Sequence, residues 1–182
     1  SLKRSAANAL AAFLLAGSTL AAMPVALAQP VTLAPLPDSV PSDLPRTARP
    51  IHYSIHVEPD AQELTFAGTQ EIDLEVFAQT DALTLHALEL GISRADLTRA
   101  DGTGRVSLTP EVDTQAQTVR LVAPAAISPG EYRLQIEYTG KINTQAMGLF
   151  ALDYPDKRTG ETVRGLFTQF EAPDARRIAP MI

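Results

Sequence analysis

Ser128-Pro129-Gly130-Glu131-Tyr132-Arg133-Leu134-Gln135-Ile136-Glu137-Tyr138 decides the fold class of this chain. A Pro-Gly turn is followed by strict alternation. Tyr132, Leu134, Ile136 and Tyr138 fall on one side, and Arg133, Gln135 and Glu137 on the other. Period two marks a strand with one face buried and one face wet. The same pattern recurs outward from this stretch. Val119 and Leu121 alternate with Thr118 and Arg120, and Leu83 and Leu85 repeat the spacing. Ile72, Leu74 and Val76 alternate with Glu71, Asp73 and Glu75. Ile51, Tyr53, Ile55 and Val57 oppose His52, Ser54, His56 and Glu58, with a turn expected at Pro59-Asp60. Asp101-Gly102-Thr103-Gly104 reads as a turn between Leu97 and a strand over residues 106–108. Seven or more short strands, each with one apolar and one polar face, imply an all-β domain built as an antiparallel sandwich or curved sheet. No stretch after residue 28 carries a helical stripe.

Residues 1–28 have the layout of a secretory signal peptide. Lys3 and Arg4 precede an apolar run from Ala9 to Leu20, and Ala26-Leu27-Ala28 is a small-x-small cleavage site that places a mature start at Gln29. Ser18, Thr19 and Pro24 interrupt the run before it reaches the roughly 20 apolar residues of a membrane span. The chain is therefore expected to be exported, periplasmic or secreted, with no membrane contact after cleavage. Residues 29–49 form a proline-rich leader with Pro30, Pro35, Pro37, Pro41 and Pro45, and Pro50 follows at once. Each proline removes a donor and restricts its neighbour, so an extended, partly disordered leader is expected. The β domain then occupies residues 50–182.

Composition narrows the function. The 182 residues carry a net charge of −6, and removing Lys3 and Arg4 with the signal makes the body more acidic still. Such a body does not suit nucleic acid or an anionic membrane. The chain has no cysteine, which excludes disulfides and thiolate zinc sites. His52 and His56 have the i, i+4 spacing of a zinc pair, but on a strand they stand ~13 Å apart at ~3.3 Å per residue. They cannot share one ion with bonds of about 2.0–2.1 Å. They read as solvent-facing strand histidines, and His86 reads the same way. The lone Gly102-x-Gly104 lacks the third glycine and the helix of a nucleotide site. Glu71, Asp73 and Glu75 read as a solvated outer face that also discourages edge pairing. No catalytic residue and no metal ligand is assigned within the chain.

The last segment, Gly165-Leu166-Phe167-Thr168-Gln169-Phe170-Glu171-Ala172-Pro173-Asp174-Ala175-Arg176-Arg177, reads locally as a strand ending near Phe170 and then a turn or helix start at Pro173-Asp174. It resembles the T-Q-F-E-x-x-x-A-R-R junction of zinc aminopeptidases of the aminopeptidase N and leukotriene hydrolase type. Arg49-Pro50-x-x-Tyr53, Phe66-x-Gly68, Leu85-His86-x-x-Glu89-Leu90, the run from Gly130 to Gly140, and Gly148-Leu149-Phe150 are similar to that family in the same order. Ala179 stands where the family usually has Phe. The resemblance implies a saddle-shaped N-terminal β domain packed against a catalytic domain that carries H-E-x-x-H, zinc and the G-x-M-E-N motif. Neither motif occurs here, so zinc and the catalytic domain are expected outside this chain, which would be inactive alone. The resemblance gives Glu171 the role of binding the free α-amino group of a peptide substrate, and Gln169 that of lining the pocket for its first side chain. The alternatives are an exported β-sandwich that binds a partner without catalysis, and a truncated fragment without function.

Overall fold

A computed structural model describes residues 33–171 and 173–182. The signal-peptide reading and the first residues of the leader lie outside the described residues. Among the described residues ten strands follow one another: β1 (Ala48–Asp60), β2 (Thr65–Val76), β3 (Thr80–His86), β4 (Gly91–Arg99), β5 (Val106–Ser107), β6 (Thr109–Asp113), β7 (Thr118–Ile127), β8 (Gly130–Lys141), β9 (Gly148–Pro155) and β10 (Thr162–Gln169). A single 3₁₀ turn, Asp174–Arg177, comes last. The strands form three sheets, in the orders β1-β2-β8-β4-β5, β3-β7-β6 and β9-β10, and every strand pair is antiparallel. The all-β, antiparallel fold expected from the alternation is the fold observed.

The alternating strands bury the residues the pattern picked out. Ile72 and Leu74 of β2 pair with Leu134 and Tyr132 of β8, and Leu134 in turn pairs with Leu97 of β4. Leu83 and Leu85 of β3 pair with Leu121 and Val119 of β7. All of these belong to one core shared by the five-stranded and three-stranded sheets. Each fully buried aliphatic side chain contributes about 1.5–3 kcal/mol, which is why strand register is strongly fixed here. The chain crosses from one sheet to the other at Leu108, which is buried and whose amide donates to the Ala95 carbonyl at 2.8 Å.

Three readings of the strands need correction. The register of β1 shifts between Pro50 and His52, so Ile51 bulges out and is exposed, while Tyr53 and Val57 pack on the core. Pro59 and Asp60 still pair with Phe66 and Thr65, and the turn comes one step later. Asp60 shapes it, its Oδ1 accepting from the amides of Gln62 and Glu63. Proline is tolerated in β1 because β1 is an edge strand. The acidic row of β2 lies on an inner strand rather than an edge. Glu71 and Asp73 are half-buried and share Arg133 of β8 at 3.0 and 2.9 Å, so cross-strand pairing and not edge protection is their role.

One carboxylate on the outer side of the large sheet is almost fully enclosed. Asp96 accepts from Ser107 at 2.6 Å, Arg105 at 2.8 Å and Arg94 at 2.6 Å. The hydrogen bonds from Ser107 and Arg105, more than any other cause, hold its pKa down to about 2.

The final residues are threaded into the domain. Gln70 of β2 donates to the Pro180 carbonyl at 2.8 Å, His86 of β3 exchanges two backbone hydrogen bonds with Met181, and the Ile182 amide donates to the Tyr53 hydroxyl at 3.0 Å. Ala179, small where a phenylalanine is usual in the family it resembles, is completely buried. Among the described residues no helix is long and apolar enough to cross a membrane.

Candidate functional site

The two residues singled out at the C-terminal junction stand at the end of the β9-β10 hairpin. Gln169 is the last residue of β10 and pairs with Gly148, the first of β9. Glu171 follows one residue beyond the exposed Phe170. Both are exposed. Among the described residues neither side chain has a hydrogen-bond or ion-pair partner; only the Glu171 carbonyl is used, accepting from the Asp174 amide at 3.2 Å. The carboxylate is therefore available to a cation from outside.

The hairpin positions this pair through its two unlike faces. Leu149, Ala151 and Leu166 face inward and pack on the core. The opposite face carries Phe150, Leu152, Tyr154 and Phe167, with Gln169 at its end. Phe150 and Phe167 are cross-strand partners with ring centroids 5.8 Å apart. Phe167 and Tyr154 close over Gly165, where an added Cβ would come within 2.8 Å of the Phe167 ring. Leu152, Tyr154 and Phe167 on this face are each 43 to 47% exposed, and Phe170, just beyond the hairpin, is 40% exposed. Large exposed apolar patches of this kind mark interaction surfaces.

The junction beyond Glu171 is not the start of a helix. It is one 3₁₀ turn with Pro173 at its head, Asp174 in its first turn and Arg176 and Arg177 in its last. Both arginines are engaged: Arg177 with Asp174 and Glu89, Arg176 with the Pro173 carbonyl and Gln117. Sequence reading gave these arginines no role. Their signal was the Arg-Arg pair itself, placed to complement carbonyls at the end of a turn.

The histidines do not form a site. His52 and His56 lie on the outer row of β1, opposite Asp73 and Thr69, and His56 meets Glu58 at 3.0 Å. His86 differs from expectation: it is half-buried, not solvent-facing, and its Nδ1 is enclosed without a partner among the described residues. Burial, and then the nearby Arg176 charge, push its pKa below the usual histidine range. Among the described residues no three His, Asp or Glu side chains converge on a metal position.

Residues 49–182 match the family profile of the Peptidase M1 N-terminal domain. The chain belongs to this family. It is similar to aminopeptidase N of Acetobacter pasteurianus, 36% identical over 137 residues that make up 75% of this chain and 37% of the relative. It is similar to the alanine/arginine aminopeptidase of Saccharomyces cerevisiae, 33% identical over 142 residues, and to the puromycin-sensitive aminopeptidase of Caenorhabditis elegans, 29% identical over 137 residues. Those matches cover 75% of this M1 N-terminal domain chain but only 16% and 14% of the two relatives. The chain thus spans well under half the length of these relatives.

Proposed function

We propose that this chain is the exported front part of a zinc aminopeptidase, and that it recognises the free N-terminus of a peptide through Glu171, with Gln169 lining the pocket for the first side chain. The observation that carries this reading is the pairing of a disengaged carboxylate with an apolar hairpin face that is open to a partner. A substrate ammonium that leaves water would meet Glu171 as a charge-assisted acceptor, which favours a free N-terminus over a blocked one. The exposed Leu152, Tyr154 and Phe167, with the Phe150 ring buried beneath, suit a further domain of the same protein. That domain would supply the zinc, the activated water and the general base. The residues described here would bind and orient the substrate but transfer no proton.

The first-position preference of the full-length protein tests the pocket. Gln169→Ala should alter the ranking of peptides that differ only in their first residue, with a smaller loss for the best of them. An unchanged ranking would remove Gln169 from the pocket.

A further inference from the structure

We infer that Glu89 is a positioning residue for the substrate-binding segment: acting through Arg177, it holds the 3₁₀ turn that fixes where Gln169 and Glu171 stand. The inference rests on the reading of those two residues given above.

Glu89 lies at the corner between β3 and β4 with φ at +58°. A side chain disfavours that left-handed backbone, and glycine would occupy it more easily. What glycine would lack is the carboxylate. One oxygen of Glu89 accepts from Lys141 of β8 and the other from Arg177 of the turn. An observed backbone outlier whose carboxylate joins two cations, one of them beside a candidate site, is a reason to look for a role.

Arg177 reaches both flanks of the binding segment. Its Nε donates to Asp174 Oδ1 at 2.9 Å, and the Asp174 amide donates to the Glu171 carbonyl. Its stem lies over Gly148, where an added Cβ would be 3.0 Å from the Arg177 Cβ. Gly148 is the strand partner of Gln169. The same corner also holds the turn by its backbone, since the Leu88 amide donates to the Arg176 carbonyl at 2.9 Å. Most surface ion pairs do little, because both partners stay in water. Here the Arg177 side chain is only 18% exposed, and removing Glu89 takes away the carboxylate that Lys141 and Arg177 share, leaving Arg177 with Asp174 alone.

The test uses the full-length protein with Glu89→Gln, which keeps the size and loses the charge, and Glu89→Gly, which also relieves the backbone. Amide hydrogen exchange at Leu88, Asp174 and Ile178 reads the turn. Steady-state kinetics on matched peptides with free and acetylated N-termini read the site. In both variants exchange should quicken about fivefold, the ~1 kcal/mol at the upper end of partly exposed ion pairs. kcat/KM should fall by a similar factor for free N-termini and stay unchanged for acetylated ones. Glu89→Gly should lose this selectivity without a lower melting temperature, which a merely structural role would not produce. Unchanged exchange overturns the lock. Faster exchange with unchanged selectivity, in a protein whose selectivity does fall on Glu171→Ala, overturns the positioning role. If Glu171→Ala itself leaves selectivity intact, the reading of Glu171 fails and the positioning role falls with it, even where the exchange result holds.

Discussion

Two glycines in the central strand pair should be far less replaceable than strand propensity suggests. Gly68 of β2 pairs with Tyr138 of β8, and Phe66 of β2 pairs with Gly140 of β8. Each aromatic ring lies across the opposite glycine, and the two rings meet edge to face with centroids 6.4 Å apart. A Cβ added at Gly68 would stand 2.3 Å from Tyr138 Cζ, against an ordinary carbon contact of about 3.5–4.0 Å. The ring would have to move by more than an ångström while Phe66 and the rest of the core hold it. Overpacking of this kind costs about 1–3 kcal/mol, and the gain from replacing glycine in a strand is roughly 0.5–1 kcal/mol. The net for Gly68→Ala is therefore a loss centred on about 1 kcal/mol and reaching about 2.5 kcal/mol, or a drop in melting temperature of up to roughly 10 °C for a domain of this size. Thermal unfolding followed by circular dichroism measures it. In a Tyr138→Val background, with no ring across the glycine, the same change should be neutral or stabilising. A Gly68→Ala protein that melts at or above the parent temperature would refute the reasoning, as would an equal loss in both backgrounds.

The other predictions concern single polar groups and the front of the chain. Tyr138 buries its hydroxyl with no partner among the described residues, and burial pushes its pKa up to about 12; Tyr138→Phe should leave stability unchanged or raise it by up to ~1 kcal/mol, read as a shift in melting temperature. Asp96 has a folded-state pKa of about 2 against an ordinary 3.8, so its contribution is complete above pH 3.8 and is lost as pH falls through about 2. Asp96→Asn should accordingly lower the melting temperature at neutral pH, with the gap to the parent closing in acid titrations toward pH 2. Mass spectrometry of the exported protein should find Gln29 at the N-terminus, and a membrane-held product that retains residues 1–28 would contradict the signal-peptide reading.

What the sequence made legible follows from where one face was buried and the other wet. β2 and β8 alternate cleanly because their inner faces share the core and their outer faces carry Arg133, Glu71 and Asp73. The Asp101-to-Gly104 loop and the turn before Gly130 were legible because glycines there adopt positive φ. Ile51 was misplaced because a bulge shifts the face of every residue beyond it, and nothing in the alternation marks where a bulge falls. The end of β10 was read as a strand closing near Phe170, but its partner β9 was hidden for a different reason. Phe150, Leu152 and Tyr154 are apolar on the face away from the core, so both faces read alike and period two vanishes. His86 was misjudged because its burial comes from Met181 and its neighbours, almost a hundred residues along the chain. Gln169 and Glu171 could be located through the resemblance, but the contacts of Arg177 with Glu89 and Gly148 exist only once the corner of β3-β4 meets the final turn.

The central claim is that Glu171 selects a free N-terminus, and steady-state kinetics of Glu171→Ala in the full-length protein test it most directly. Hydrogen bonds that involve a charged group are worth about 1.5–3 kcal/mol, so kcat/KM for a free peptide should fall roughly 10- to 200-fold. Part of that loss should appear in kcat, since anchoring the ammonium also places the scissile bond. The matched acetylated peptide, which brings no ammonium, should show no comparable loss. A Glu171→Ala protein that keeps the parent's preference for free over acetylated N-termini would contradict the account and leave Glu171 as a residue of the strand-to-turn junction alone.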